Sequence, residues 1–153
     1  MGPANGLAPL RVVVAEDHPQ IRDLLKQQLV ELGHVVVGEA RDGIEVIGIV
    51  AALRPSVVVI DRGLPGQDGL KAARAISSVA PTAVVVVSAY VSGGDPEADA
   101  RQAGAHAFLA KPYLLEDLDE ALEQAVRRFA RSEASAEARA PAGTPIRTNS
   151  PAR

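Results

Sequence analysis

Polar side chains able to do chemistry stand directly after four apolar runs that lie far apart in the chain. Glu16 and Asp17 follow Leu10 to Ala15, Asp61 follows Val57 to Ile60, Ser88 follows Thr82 to Val87, and Lys111 follows Ala105 to Ala110. If these runs are parallel strands, their carboxyl ends share one edge of the sheet, the place where open α/β sheets bind ligands. Three carboxylates, a hydroxyl and an ammonium then converge. Carboxylates crowded together repel one another and raise at least one pKa unless a cation joins them. A divalent metal beside Lys111 neutralises the set, and oxygen-only ligands favour Mg²⁺ or Mn²⁺ over Zn²⁺. Taken singly, Asp61 reads equally well as the cap of a turn, because Asp is a common turn residue.

The elements that must position these groups follow from the pattern of apolar residues. Val57, Val58, Val59 and Ile60 run without polar alternation, which suits a strand covered on both faces. After the first strand, His18-Pro19 opens a helix with Ile21, Leu24, Leu25, Leu29 and Leu32 on one face, and Gly33 ends it. Val35 to Val37 is the second strand, and Asp42 caps a helix from Gly43 to about Leu53. The third helix runs from about Asp68 to Ala80, with Leu70, Ala73, Ile76 and Val79 or Ala80 inward. Asp95 and Pro96 start a short helix that Gly104 ends. Leu115, Leu118, Leu122, Val126 and Phe129 mark the last one, with Leu114 where a capping Ser or Asp is common. Five βα units with short links predict an α/β fold: a doubly wound, flavodoxin-like parallel sheet flanked by helices. Residues 1–9 read as a flexible N-terminus, 10–130 as one domain and 131–153 as a disordered tail.

Composition narrows the function classes. The 153 residues are 47% hydrophobic, enough for one buried core, and the net charge of −3 gives no basic footprint for direct DNA binding. With no Cys, disulfides, zinc-thiolate sites and thiol catalysis are excluded. The first residues lack the order of a signal peptide, and no apolar run approaches a membrane span, so the expected location is cytoplasmic.

The ordered set of motifs resembles the response-regulator receiver domain of two-component signalling, in its single-domain form, over roughly Leu10 to Ala130. An acidic pair follows the first strand, Asp-x-x-Leu-Pro-Gly-x-Asp-Gly surrounds Asp61, Ser88 follows the fourth strand, and Lys111-Pro112 the fifth. The resemblance implies the strand order 2-1-3-4-5 and makes Asp61 the phospho-acceptor for a phosphoryl group carried by a histidine of a sensor kinase or phosphotransfer protein. It implies that Asp17, Asp61 and the carbonyl of Gly63 hold Mg²⁺, with Glu16 acting mainly through a metal-bound water. Ser88 and Lys111 would then contact phosphoryl oxygens. Such a protein catalyses its own phosphorylation and dephosphorylation without being a conventional enzyme, and Gly63 and Tyr90 would flank the path of the hydrolytic water. Phe108 stands where the family carries a rotating aromatic, so Ser88 and Phe108 form the expected switch, with α4-β5-α5 as the output surface toward an unknown downstream protein.

The chain departs from the commonest pattern at Glu16, Ser88 and Arg62-Gly63 without losing an essential group. A flavodoxin-like electron carrier would share the fold, but Glu16-Asp17 would repel FMN phosphate. An Asp-nucleophile phosphohydrolase usually carries a second Asp where Gly63 stands. The third alternative is a receiver-like module that docks partners without phosphorylation. Candidate metal ligation by His18 is weaker than its reading as an exposed residue at the start of a helix, and His34 and His106 carry less signal still. The helix from Gly43 to Leu53 is apolar nearly all round, which suits either a greasy surface or a contact with a partner or a second copy. The partners expected of such a domain also include a phosphorylation-dependent homodimer.

Overall fold

The computed structural model describes residues 7–89 and 94–139. Strands and helices alternate in the order β1 (Arg11–Ala15), α1 (Pro19–Glu31), β2 (Val35–Ala40), α2 (Gly43–Leu53), β3 (Val57–Asp61), α3 (Gly69–Val79), β4 (Ala83–Ala89), α4 (Pro96–Gln102), β5 (Ala107–Lys111) and α5 (Leu115–Arg139). All neighbouring strands are parallel, in the order β2-β1-β3-β4-β5. The chain therefore reverses its direction across the sheet between β1 and β3, and a crevice opens there at the strand ends.

Alternate residues of the central strands enter two separate cores. Val12, Val14, Val57, Val59, Val85 and Val87 pack with Leu25 and Leu29 of α1 and Leu118 and Leu122 of α5. Val13, Val58, Ile60, Val84 and Val86 pack on the other face with Val46 and Val50 of α2, Ala72, Ala73 and Ile76 of α3, and Ala100 of α4. Both faces of the sheet are dry, which explains runs with no polar alternation.

Helix ends follow local chemistry. The Asp42 carboxylate accepts from the N–H groups of Ile44 and Glu45 at 2.9 and 2.8 Å, and Asp68 accepts from Lys71 at 3.0 Å. Gly33, at φ 91°, follows the Leu32 cap of α1. At Gly69, an added Cβ would lie 2.4 Å from the carbonyl oxygen of Asp61, so only glycine lets α3 start this close to the end of β3.

Several expectations change. Leu24 is 54% and Ile21 40% exposed, so the buried stripe of α1 is narrower than its apolar pattern, because one helix face meets the sheet and these two lie at its flank. Strand β2 runs on to Ala40, with a register shift between Val12 and Val13 that leaves Val37 unpaired and sets Gly38 opposite Val13. In α3, Ala80 is buried and Val79 exposed. Leu114 does not leave α5 uncapped: its own N–H donates to Asp117 Oδ2 at 2.8 Å, half of a capping box. Residues 131–139 are helical, since α5 continues to Arg139 with every residue of 131–139 exposed. Ala, Glu and Arg favour a helix without any apolar stripe, which is why periodicity did not reveal it. At the other end, Leu7 packs against the α1/α5 core.

Because Ile76 is fully buried whereas Val79 is 59% exposed on the same helix, the two should respond differently to truncation. Ile76→Ala should cost about 2–5 kcal/mol of unfolding free energy and Val79→Ala less than about 0.5 kcal/mol, as measured by urea denaturation.

Candidate functional site

Each strand end delivers its residue to the crevice for a local reason. Glu16 leaves β1 with its N–H donated to Ala40 at 3.0 Å, while its carbonyl accepts from Arg22 of α1 at 2.8 Å. That guanidinium also donates to Glu39 of β2 at 3.1 Å, so one side chain ties β1, α1 and β2 together around the acidic pair. Lys26 pairs with Glu39 at 2.9 Å and, as the chief cause, holds that carboxyl below the usual range. The loop after Asp61 is pinned at both ends: Arg62 donates to Val87 at 2.8 Å, and Gly69 donates back to Arg62 at 2.9 Å. Leu64, only 5% exposed, anchors its middle in the core.

The groups so delivered line one open cleft of about 470 Å³, formed by Glu16, Asp17, His18, Asp61, Arg62, Gly63, Ser88, Ala89 and Lys111. Glu16, Asp17 and Asp61 each offer a carboxylate oxygen within 4.8 Å of the others. Lys111 Nζ lies 3.5 Å from Asp61 Oδ1 and 3.8 Å from Glu16 Oε1, so it balances two carboxylates with longer contacts than a strong hydrogen bond makes. Ser88 is buried, and its hydroxyl donates to the carbonyl of Ala89 at 3.0 Å. Lys111 precedes a cis peptide bond to Pro112.

Glu16 is the strained member of this set. Its side chain is almost fully buried, and neither Oε atom has a hydrogen-bond partner. Burial, then a hydrogen bond to Asp61, then repulsion from that carboxylate push its pKa from 4.5 up to about 7, against the pull of Lys111. The two carboxyls can share such a bond only when one of them carries a proton. A divalent cation fits this site on those grounds: orphaned buried oxygens, three convergent carboxylates and hard oxygen donors.

Six of the residues singled out from sequence meet here: Glu16, Asp17, Asp61, Gly63, Ser88 and Lys111. Phe108 does not line the cleft. It is half-buried on β5, paired with Val86, and borders a separate groove with Asp117 and Gln124 of α5. A swing inward from there gains less apolar burial than a fully exposed ring would. Tyr90, Ser92 and Gly93 lie outside the described residues. His18 stands exposed at the rim, whereas His34 and His106 each accept a backbone N–H, from Leu10 at 3.0 Å and Val84 at 3.1 Å, and serve the fold. Sequence reasoning overlooked Arg22, whose charge marks it as a surface residue although its side chain is only 12% exposed.

The Glu16 shift sets a pH dependence of stability. Below its ordinary value of 4.5, Glu16 is protonated whether the chain is folded or not. Between 4.5 and about 7 the folded protein keeps a proton that the unfolded chain has released, so this group lowers stability as pH rises through that window. His34 and His106, kept neutral by burial, act in the opposite direction as pH falls through 6.5. The measurable quantity is therefore a difference: Glu16→Gln should gain roughly 1–3 kcal/mol on wild type between pH 4.5 and 7.5 in thermal melts without metal, and added Mg²⁺ should shrink that gain.

The response regulator receiver domain family matches residues 12–123. Transcriptional regulatory protein PdtaR of Mycobacterium tuberculosis is 41% identical over 115 residues, covering 75% of this chain and 56% of that protein. A protein-glutamate methylesterase/protein-glutamine glutaminase of Myxococcus xanthus is 46% identical over 106 residues, covering 68% of this chain and 30% of the relative. The chain thus spans about half or less of the length of these curated relatives. Among solved structures, the response regulator domain of Thermotoga maritima CheB superposes with a TM-score of 0.71 at 30% identity, over 78% of this chain and 97% of that one. A response regulator receiver domain protein from Clostridium thermocellum gives 0.71 at 26% identity, over 80% and 98%. With a five-stranded sheet in the order 2-1-3-4-5 and a family match over most of its length, this chain belongs to the response regulator receiver domains.

Proposed function

We propose that the chain accepts a phosphoryl group on Asp61 from the phosphohistidine of a sensor kinase or phosphotransfer protein, and passes the signal on through α4, β5 and α5. The observation that carries this reading is the contact of Asp61 with Lys111 at 3.5 Å, inside a cleft that also holds Glu16, Asp17 and Ser88. An Asp61 oxygen attacks phosphorus, the P–N bond breaks, and its electron pair returns to the imidazole, which takes a proton from solvent. The transition state spreads negative charge over the equatorial oxygens, so positioning and neutralisation supply most of the catalysis. Lys111 pairs with one of those oxygens, and Ser88 turns its hydroxyl from the Ala89 carbonyl toward another. Asp17, Asp61 and the Gly63 carbonyl would hold Mg²⁺, or Mn²⁺, and Glu16 would act through a bound water; the cation supplies charge neutralisation. Hydrolysis of the acyl phosphate resets the protein.

The same reading supplies a switch. Phosphorylation adds negative charge and three acceptor oxygens at the sheet edge. Drawing Ser88 toward them vacates space on the face that Phe108 shares, and α4, whose buried residue is Ala100 alone, offers little packing against movement. Downstream partners and any phosphorylation-dependent homodimer would meet the protein on this face.

Incubation with Mg²⁺ and acetyl phosphate, followed by intact-mass measurement, should add one phosphoryl group to wild type and none to Asp61→Asn. Equal labelling of the variant would refute Asp61 as acceptor. Asp17→Ala should lose far more phosphorylation than Glu16→Ala, on the order of tenfold more, because a direct ligand is removed in one case and a water-mediated one in the other. Equal losses would overturn that division of roles.

A further inference from the structure

Arg62 stands immediately after Asp61, and its backbone is held on both sides, by the N–H bond to Val87 and the carbonyl bond from Gly69. Only its side chain is free to move. Arg62 is among the residues that line the cleft of Asp61 and Lys111, and its guanidinium donates to Asp99 Oδ2 of α4 at 3.5 Å. Both side chains are about a third to a half exposed, at 34% and 45%, and the contact is longer than the usual charge-assisted hydrogen bond, so the pair is weak. Asp99 has a second source of stabilisation, since it sits in the first turn of α4, where the helix dipole favours a carboxylate. Releasing Arg62 therefore costs Asp99 little.

We propose that Arg62 is a second cationic arm of the phosphoryl site, held back by Asp99 until the phosphoryl group arrives. This rests on Asp61 being the acceptor. Lys111 is a point charge already shared between Asp61 and Glu16, whereas a planar guanidinium can fork onto two phosphoryl oxygens. A transferring group carrying close to two negative charges competes strongly against one partly solvated carboxylate. When Arg62 leaves Asp99, α4 loses its ion pair to the β3–α3 loop, and the chemistry at Asp61 is linked directly to the helix with the least packing. This route to α4 runs beside the one through Ser88 and Phe108 and needs no aromatic rotation.

The test uses the full chain with Mg²⁺ and acetyl phosphate, reading acyl-phosphate formation by intact mass and amide exchange over residues 95–103. Arg62→Ala should slow formation roughly tenfold, Arg62→Lys should recover part of the rate, and Asp99→Asn should speed formation roughly two- to fivefold by freeing the guanidinium. Asp99→Asn should also raise exchange in α4 before any phosphodonor is added. Combined with Arg62→Ala, Asp99→Asn should have no further effect on formation. Wild-type rates in Arg62→Ala, or an Asp99→Asn effect that persists in the double variant, would overturn the proposal. Should Arg62→Ala unfold, Arg62→Gln keeps the stem and must show the same slowing. Failure of wild type itself to gain a phosphoryl group would instead overturn the acceptor reading, and this inference with it.

Discussion

The organising constraint is electrostatic: three carboxylates are forced together at one edge of the sheet with Lys111 as their nearest ammonium. Nothing in local structure favours that arrangement. It exists because β1 and β3 are adjacent and both end at the same level, Ala15 pairing with Ile60, so their next residues must share a volume. The cost appears at Glu16, buried without a donor and holding a proton well above the usual carboxylate range. A cleft in that state is predisposed to take up positive charge, and an arriving cation relieves a strain already present in the fold.

The dry interior is what makes such strain tolerable. Two cores clamp the sheet from both sides, and the loop after Asp61 is tied by Leu64, by its hydrogen bonds to β4 and α3, and by the close approach of Gly69 to the Asp61 carbonyl. Arg22 does the equivalent for the acidic pair. Rigidity is uneven, however. On one flank of the cleft, α4 buries one alanine and carries Asp99 toward Arg62, whereas α1, α3 and α5 each bury long aliphatic or multiple small side chains. The α4 side is thus the least packed flank of the cleft.

Much of this was legible in the sequence. The unalternating Val and Ile runs, the caps at Asp42 and Asp68 and the punctuation by glycine and proline specify local conformation through short-range sterics and backbone hydrogen bonding, which act between residues close in the chain. Because those elements alternate as βα units, the parallel sheet follows, and with it the convergence of Glu16, Asp17, Asp61, Ser88 and Lys111 at one edge. The expectation failed where a local signal was silent or ambiguous. Residues 131–139 extend α5 without any apolar stripe, and Leu24, apolar and in phase, stays exposed because none of the described residues covers it.

Tertiary structure alone decided the contacts that depend on distance across the fold. Arg22 and Arg62 look alike in the sequence, as single charges beside or near an acidic residue. One became a partly buried tie among three elements and the other half of a weak ion pair with α4, because β2 and α4 happen to bring Glu39 and Asp99 within reach. The orphaning of Glu16 has the same origin. Its position after β1 was written in the chain, but its burial, the missing donors and the 3.8 Å separation from Lys111 depend on how the neighbouring strand ends close around it, and no pattern of nearby residues encodes that.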